Sequence, residues 1–290
     1  MIKPRVAADY TSEITSASFS VLLEVMTILK SYQDALVLIG GWVPYLLLRD
    51  HGPQLEGEDL MGGSFQHIGS IDIDLAVNHE LVDDERYATI VGLLKDRKYD
   101  PNPEILYRLD RKITGISDAI GVDFLTSQPP PGKGKSHRHR KVQSGLRARA
   151  TPDLEIAFKS CKTTKVEGQL PESGGRTTLD IKVADIPAII ALKGHALGER
   201  YKEKDAYDLY ALARYYGRGA QEVIECLKPH LKEPCLKKAL ENIRGRFQSD
   251  KHTGPAWVAN FFGVTDPAEM ERINQTAFQA MDSVLQGCGY

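Results

Sequence analysis

The sequence predicts an α/β (α+β) protein: a mixed sheet flanked by helices, followed by a separate helical part. Three observations predict it. Short apolar strand patterns and amphipathic helix patterns alternate as far as about residue 126. From Asp185 to the end, only helical spacing is found. And one strand pattern, Ile71–Val77, places Asp72 and Asp74 on the face opposite its apolar residues. Two like charges that close repel each other, and burial makes the repulsion worse. A strand that needed only to fold would avoid them, so a positive charge is expected beside them.

Taken in order, "ITSASFSVLLEVMTILKSY" is helical, with Phe19, Leu22, Leu23, Met26 and Leu29 on one side. "ALVLIGG" is a buried strand ending in two glycines, and "WVPYLLLRDHG" a short helix closed by Gly52. Residues 53–66 form a Gly- and acid-rich loop before the aspartate-bearing strand. "LVDDERYATIVGLLKDRKY" is a helix, and "EILYRLDRKI" and "AIGVDFLTS" are strands. The texture then changes. "SQPPPGKGKSHRHRKVQSGLRARATP" has the prolines, glycines and dense positive charge of a loop, with no acid from Gly132 to Thr151. "DLEIAFKS" and "TTLDIKVA" are expected to pair as strands. Five helices follow, beginning "IPAIIALKGHALGER", "KEKDAYDLYALARYY", "AQEVIECLKPH", "CLKKALENIRGRF" and "AEMERINQTAFQAMDSVL". A boundary near residue 184 separates a sheet-rich domain, 1–184, from a helical domain, 185–290.

At 290 residues the chain has room for two modest domains. A net charge of -2 announces no nucleic-acid partner globally, which leaves only local charge to do so. No apolar run is long enough to span a bilayer, and "MIKPRVAADY" lacks the apolar core of a secretory signal. Cys161, Cys226, Cys235 and Cys288 are scattered without a CxxC pair, which fits free thiols in a reducing cytoplasm and not a zinc site.

Three features fall in order along the sheet-rich part: Gly40–Gly41 after a strand, Ser70-x-Asp72-x-Asp74 on the next, and Asp123 on a later one. Each alone is bland: a glycine pair is a turn, a DxD common, a lone VDF uninformative. Together they match a known chemistry. Mg²⁺ (or Mn²⁺) takes hard oxygen ligands. Two such ions roughly 3.5–4 Å apart clamp the attacking and leaving oxygens of an in-line phosphoryl displacement. Asp72 and Asp74 would share the metal, and Asp123 would complete the set or take the proton of an attacking hydroxyl. Gly40 and Gly41 would present backbone N–H groups to phosphate at the start of a helix. Ser70 would add a hydroxyl.

"IGGW…SIDIDL…GVDFL" resembles the nucleotidyltransferase superfamily, the polymerase-β-like fold. "ALKGHALGERYKEKDAYDLYAL" resembles the Lys-x-x-Ala and Lys-Asp-x-x-Asp-Leu segments of AbiEii/MenT-type toxin nucleotidyltransferases. The resemblance covers residues 36–212; the basic insert lies outside the pattern, and the glycines stand farther from DxD than the pattern has them. It implies an NTP-dependent, pyrophosphate-releasing enzyme that moves a nucleoside monophosphate to an acceptor hydroxyl. It also implies a tRNA 3′ end as acceptor and a cognate antitoxin as partner. Lys193 lies among Ile189, Ile190, Ala191, Leu192 and Ala196, so it needs an anionic partner. The resemblance gives it nucleotide phosphates; Arg200, seven positions on and so near the same face, is placed to assist. Asp205 and Asp208 can each cap a helix or pair structurally with Lys204 or Arg200; the resemblance makes Asp205 an active-site contributor and Asp208 a weaker one.

Lys133, Lys135, Arg138, Arg140, Lys141, Arg147 and Arg149, with His137 and His139, form the basic segment 133–149. Such a segment is either a solvated loop or an RNA-phosphate contact. Trp42, Tyr207 and Tyr210 sit at helical spacing and are assigned to the core. Two rivals stand beside the RNA-directed enzyme. One is a nucleotidyltransferase acting on a small, aminoglycoside-like molecule. The other is a silent nucleotide-binding module, which would have no need of three converging acids.

Overall fold

The computed structural model describes residues 6–52, 65–82, 89–128, 138–172 and 174–290. In chain order its elements are α1 (Ser12–Ile28), β1 (Leu36–Ile39), α2 (Trp42–Asp50), β2 (Ile73–Val77), α3 (Ile90–Lys95), β3 (Tyr99–Pro101), β4 (Arg108–Arg111) and β5 (Ile120–Ser127). There follow β6 (His139–Gln143), β7 (Leu146–Thr151), α4 (Glu155–Lys159), β8 (Cys161–Gln169) and β9 (Arg176–Ala184). Helices α5 (Ile186–Glu199), α6 (Glu203–Tyr215), α7 (Ala220–Leu227), α8 (Pro234–Arg246), α9 (Thr253–Phe262) and α10 (Pro267–Gly287) complete the chain. The described residues form two compact units. One comprises Thr11–Val43 and Ser70–Ala184; the other draws on Met1–Tyr10, Pro44–Gly69 and Asp185–Tyr290. Among the described residues, no helix is long and apolar enough to cross a membrane.

The first unit is a mixed nine-stranded sheet in the order β3-β4-β5-β2-β1-β9-β8, with β7 joined to β5 and β6 to β7. Pairs β2/β5, β1/β9 and β5/β7 are parallel, and the others antiparallel. Strand β1 is buried at every position, which explains its unbroken apolar run "LVLI". Along one edge, β5 changes partner. Its first half, up to Asp123, pairs with β4, and from Leu125 it pairs with β7. Helix α1 lies against β8 and β9, capped by the Thr11 hydroxyl, which accepts from the Ile14 N–H. Of its predicted apolar face, Leu22, Leu23 and Met26 are buried, as is Leu29 at the C-cap, while Phe19 is half-buried. The same helix buries Glu24, which accepts from Tyr99 Oη at 2.7 Å and from Arg111 Nε at 3.0 Å. An acid, a guanidinium and a phenol thus satisfy one another under the sheet.

The second unit is helical. Helix α5 starts at the Asp185 cap, whose carboxylate accepts from the Ile186 N–H. It crosses α8 at close range: a Cβ on Gly194 would lie 2.7 Å from that of Ala239, and one on Gly198 would meet the Asn242 amide at 2.6 Å. Glycine inside a helix costs about 1 kcal/mol relative to alanine. Here it admits a neighbouring backbone, and Asn242 Nδ2 donates to the Gly194 carbonyl at 3.3 Å.

Four local expectations are corrected. "DLEIAFKS" is not a strand; its centre is α4, and the partner of β9 is β8, joined through a turn in which Leu170 N–H donates to the Gly175 carbonyl at 2.7 Å. Strand β8 is obscure in the sequence because only Thr164 and Val166 of it are buried, leaving a polar alternation. The basic segment from residue 138 is not a loop but the β6–β7 hairpin; Lys133, Lys135 and His137 lie outside the described residues. Helix α9 is masked in the sequence by Pro255, which sits in the first turn, where a missing N–H costs nothing. The helix expected over 81–99 is described from Ile90 to Lys95, with residues 83–88 outside the described ones.

Removing Glu24 would leave Arg111 buried beside a phenol, with the more exposed Glu172, 3.4 Å from Nη2, as its remaining anion. Glu24→Ala is therefore expected to destabilise the sheet unit by about 3 kcal/mol. The measurement is the urea midpoint, against Arg111→Lys as the variant that keeps the charge.

Candidate active site

Strand β1 ends at Ile39, whose register partner on β2 is Asp74. Gly40 follows at φ +75°, and a Cβ built there would fall on Oδ2 of Asp74. Glycine therefore meets two demands at once, a left-handed backbone and the close approach of a carboxylate. Gly41 comes next, then α2, with the Val43 N–H donating to the Gly40 carbonyl at 3.3 Å. The expected order of glycine pair, DxD and helix start is thus realised as one turn packed on Asp74.

Asp74 and Asp123 are register partners on the parallel strands β2 and β5. Their backbones are therefore one strand spacing, roughly 4.8 Å, apart. Asp72 lies just before β2 begins, with its side chain 31% exposed. Ser70 is buried two residues earlier. Asp123 is buried as well, as its place at the centre of β5 requires.

A positive charge of the protein's own lies against two of the three aspartates, Asp123 and Asp72. Arg108, at the start of β4, is the antiparallel partner of Asp123. Its guanidinium binds Asp123 in a fork, Nε to Oδ1 at 2.6 Å and Nη2 to Oδ2 at 2.9 Å. Nη1 lies 3.5 Å from Asp72 Oδ1. Burial works against the charge on Arg108, but Asp123, Asp72 and Asp74 together outweigh it and hold the guanidinium's pKa above its ordinary value. Burial pushes the Asp123 carboxyl up, more than Arg108 pulls it down. The sequence pattern alone does not single out Arg108. Its signal is present in "YRLDRK", a strand pattern carrying cations beside the acid-bearing one.

The hairpin extends this surface. Cross-strand pairs His139–Arg149 and Lys141–Arg147 put four side chains on one face, while Leu146, Ala148 and Ala150 turn inward. The Tyr107 ring stacks on His139, with centroids 5.6 Å apart. Arg149 is close enough to Asp123 to favour its charge. Positive potential therefore runs from the acids outward along β7.

The helical unit holds a second constellation. Lys193 is buried, with Nζ 2.7 Å from Asp205 Oδ1 and 2.6 Å from Asp208 Oδ2, the latter an ion pair without hydrogen-bond geometry. Arg200 binds Asp205 Oδ2 through Nε at 3.0 Å and keeps a side chain 47% exposed. Lys204 donates to Asp208 Oδ1 at 2.7 Å, beneath the rings of Tyr10 and Tyr207. Lys193, Asp205 and Arg200 are thus brought together, and Asp208 is fully part of the set. Burial opposes the charge on Lys193, and the two aspartates more than restore it. Lys204 is lowered to about 8, because burial outweighs Asp208 and Lys193 repels it. Both aspartates lie below the usual carboxylate range, since Lys193 with Arg200 or Lys204 outweighs their burial. Tyr207 and Tyr210 are core residues here, as is Trp42 in the sheet unit.

His67, which the sequence pattern does not mark either, closes this network. Its Nδ1 accepts the Gly69 N–H at 3.1 Å, and its Nε2 lies 3.0 Å from Asp208 Oδ1. The neutral ring with hydrogen on Nε2 satisfies both contacts, and a second proton would confront the Gly69 N–H. Burial, first, and the nearby lysines lower its pKa to about 4 despite Asp208. Between pH 6.5 and 4 the unfolded chain therefore binds a proton that the folded chain refuses. The stability contributed by neutral His67 is present above pH 6.5 and is lost as pH falls through that window. Thermal unfolding at about pH 7 and about pH 4.5 is expected to show a drop in midpoint, and His67→Gln a smaller one; parallel shifts would place the acid sensitivity elsewhere.

A sequence-family profile described as "Nucleotidyl transferase AbiEii toxin, Type IV TA system" matches residues 69–280. No curated protein matches the chain. Among solved structures, an antigenic nucleotidyltransferase-like protein from Paracoccidioides brasiliensis is similar at 16% identity and a TM-score of 0.43, over 84% of this chain and 90% of that one. The profile takes in both the aspartate-bearing strands and the Lys193–Asp208 helices, well over half of the chain. This chain therefore belongs to the AbiEii toxin family, the nucleotidyltransferases of type IV toxin–antitoxin systems.

Proposed function

We propose that the chain moves a nucleoside monophosphate from an NTP onto a hydroxyl of RNA, with a tRNA 3′ end the first acceptor to test. Asp72, Asp74 and Asp123 would hold Mg²⁺ or Mn²⁺. The observation that carries this reading is the gathering of Asp72 and Asp123, with Asp74 nearby, around one cationic position beside the Gly40–Gly41 turn. The donor set suits a hard divalent cation, being all carboxylate oxygen. As placed, no three His, Cys, Asp or Glu side chains among the described residues share a point fit for a metal. Asp72 and Asp123 face Arg108 instead. When bound, the metal would neutralise charge on the transferring phosphoryl group.

The chain's own groups supply the rest. Asp123, its carboxyl raised by burial, is suited to accept the proton of the attacking hydroxyl. Gly40 and Gly41 offer N–H groups at a helix start for phosphate oxygens, and Ser70 a hydroxyl. The phosphate contact of Lys193 and the active-site role of Asp205 rest on the family resemblance, and Arg200 joins them by its place seven positions after Lys193. Their geometry supports Arg200 as the cation with a solvent-facing edge and Lys193 as the charge that holds Asp205 and Asp208. The four-residue basic face of β6–β7 supports RNA as acceptor. A cognate antitoxin, growth inhibition and action in the cytoplasm complete the reading.

Asp72→Asn and Asp74→Asn keep the shape of each side chain and remove its charge. Each is expected to cut transfer at least about a hundredfold with unfolding midpoints preserved. The assay is label transfer from each α-³²P NTP to total RNA with Mg²⁺; wild-type labelling by either variant would remove these acids from the chemistry.

The hairpin is tested by salt. Lys141→Ser with Arg147→Ser changes the cross-strand pair remote from the acids. RNA affinity should fall, and the slope of log K against log salt should flatten by roughly 0.7–0.9 for each phosphate no longer neutralised. Superimposable titrations would remove RNA from this face and bring a small-molecule acceptor forward.

A further inference from the structure

Arg108 has features that a surface ion pair lacks. Its guanidinium makes two short bonds to Asp123, reaches Asp72 at 3.5 Å and lies within electrostatic range of Asp74. It also has a seat. Gly121, two residues before Asp123 on β5, is covered by it: a Cβ there would lie 2.7 Å from Cζ, 2.8 Å from Nε and 2.9 Å from Nη1 of Arg108. Gly121 carries no positive φ, so its backbone does not demand glycine; the guanidinium lying on it does. The arginine is thus held flat on the strand, with its fork aimed at the acids.

We infer that Arg108 is a positioning residue that stands in for the metal: it holds Asp72 and Asp123 together when no metal is bound, and must release them for one to bind. This rests on the assignment of Asp72, Asp74 and Asp123 as metal ligands. The fork engages both oxygens of Asp123, so a divalent cation arriving at the same carboxylate competes with the guanidinium for its lone pairs and meets a like charge beside it. Metal affinity is therefore lowered by the strength of a bidentate, charge-assisted contact. A residue that merely braced β4 against β5 would act in the opposite sense, because its removal would loosen the ligands.

The experiment is Mn²⁺ titration of the full chain, read by disappearance of the free-ion EPR signal. Wild type is compared with Arg108→Gln, with Gly121→Ala, and with the double variant Asp72→Asn, Asp74→Asn. Gly121→Ala displaces the flexible end of Arg108 without removing its charge, so it serves if Arg108→Gln folds poorly. Both are expected to bind Mn²⁺ more tightly than wild type, Arg108→Gln on the order of tenfold. Added Mn²⁺ should also raise the unfolding midpoint of Arg108→Gln more than that of wild type. Mn²⁺ binding that depends on Asp72 and Asp74 but is equal or weaker in both variants overturns this inference and leaves the metal site standing. Absence of Asp72- and Asp74-dependent binding in every protein overturns the metal assignment, and the inference with it.

Discussion

Three carboxylates, two on neighbouring strands and one just before the first of them, repel one another, and much of the sheet is arranged around that repulsion. Asp74 and Asp123 face each other across a parallel pair because β2 and β5 are in that register. Their charges are tolerable only with a cation between the strands and the solvent. Arg108 provides it from β4, in register with Asp123, and Gly121 leaves room for it. Gly40 provides space on the other side, where the turn after β1 comes down on Asp74. Two glycines far apart in sequence thus serve one electrostatic requirement. The change of partner along β5, from β4 to β7, occurs beside the same aspartate and leads directly to the basic hairpin.

Much of this is legible in the sequence, for a physical reason. Period-2 alternation is a strong signal, so the placement of Asp72 and Asp74 opposite Ile71, Ile73 and Leu75 can be read directly and the need for a positive partner deduced. Which cation answers it cannot. A metal and a guanidinium satisfy the same electrostatics, and Arg108 is brought to Asp123 only by pairing between strands fifteen residues apart. The same limit hides His67, which meets Asp208 across 141 residues. Lys193, by its apolar surroundings, needs an anion, and it has two. The hairpin reads as a loop because turn-forming and basic residues dominate its composition, although "LRARAT" alternates as a strand should. Local composition outweighs local period there.

The helical unit solves a related problem in another way. Lys193, Lys204, Arg200, Asp205 and Asp208 are mutually compensating charges, four of them buried. Burying so many ions seldom adds net stability over an apolar core, but removing any one is costly. Such a set tolerates little variation and fixes one packing of α5 against α6 and the 65–69 segment. The neutral His67 fits this scheme, since its two ring nitrogens satisfy a backbone donor and a carboxylate without adding charge.

Strand β8 ends the strand order, and at nine residues it is as long as any strand in the sheet. A long terminal strand is a template on which a second molecule can extend the sheet, the first step toward aggregation. The alternation that makes β8 hard to read bears on this. Thr163, Lys165, Glu167 and Gln169 are exposed along it, with charges of both signs among them. An incoming strand would have to desolvate them to pair. The polar patterning that weakens β8 as a folding signal is thus the same property that discourages a second copy of the chain from joining its edge.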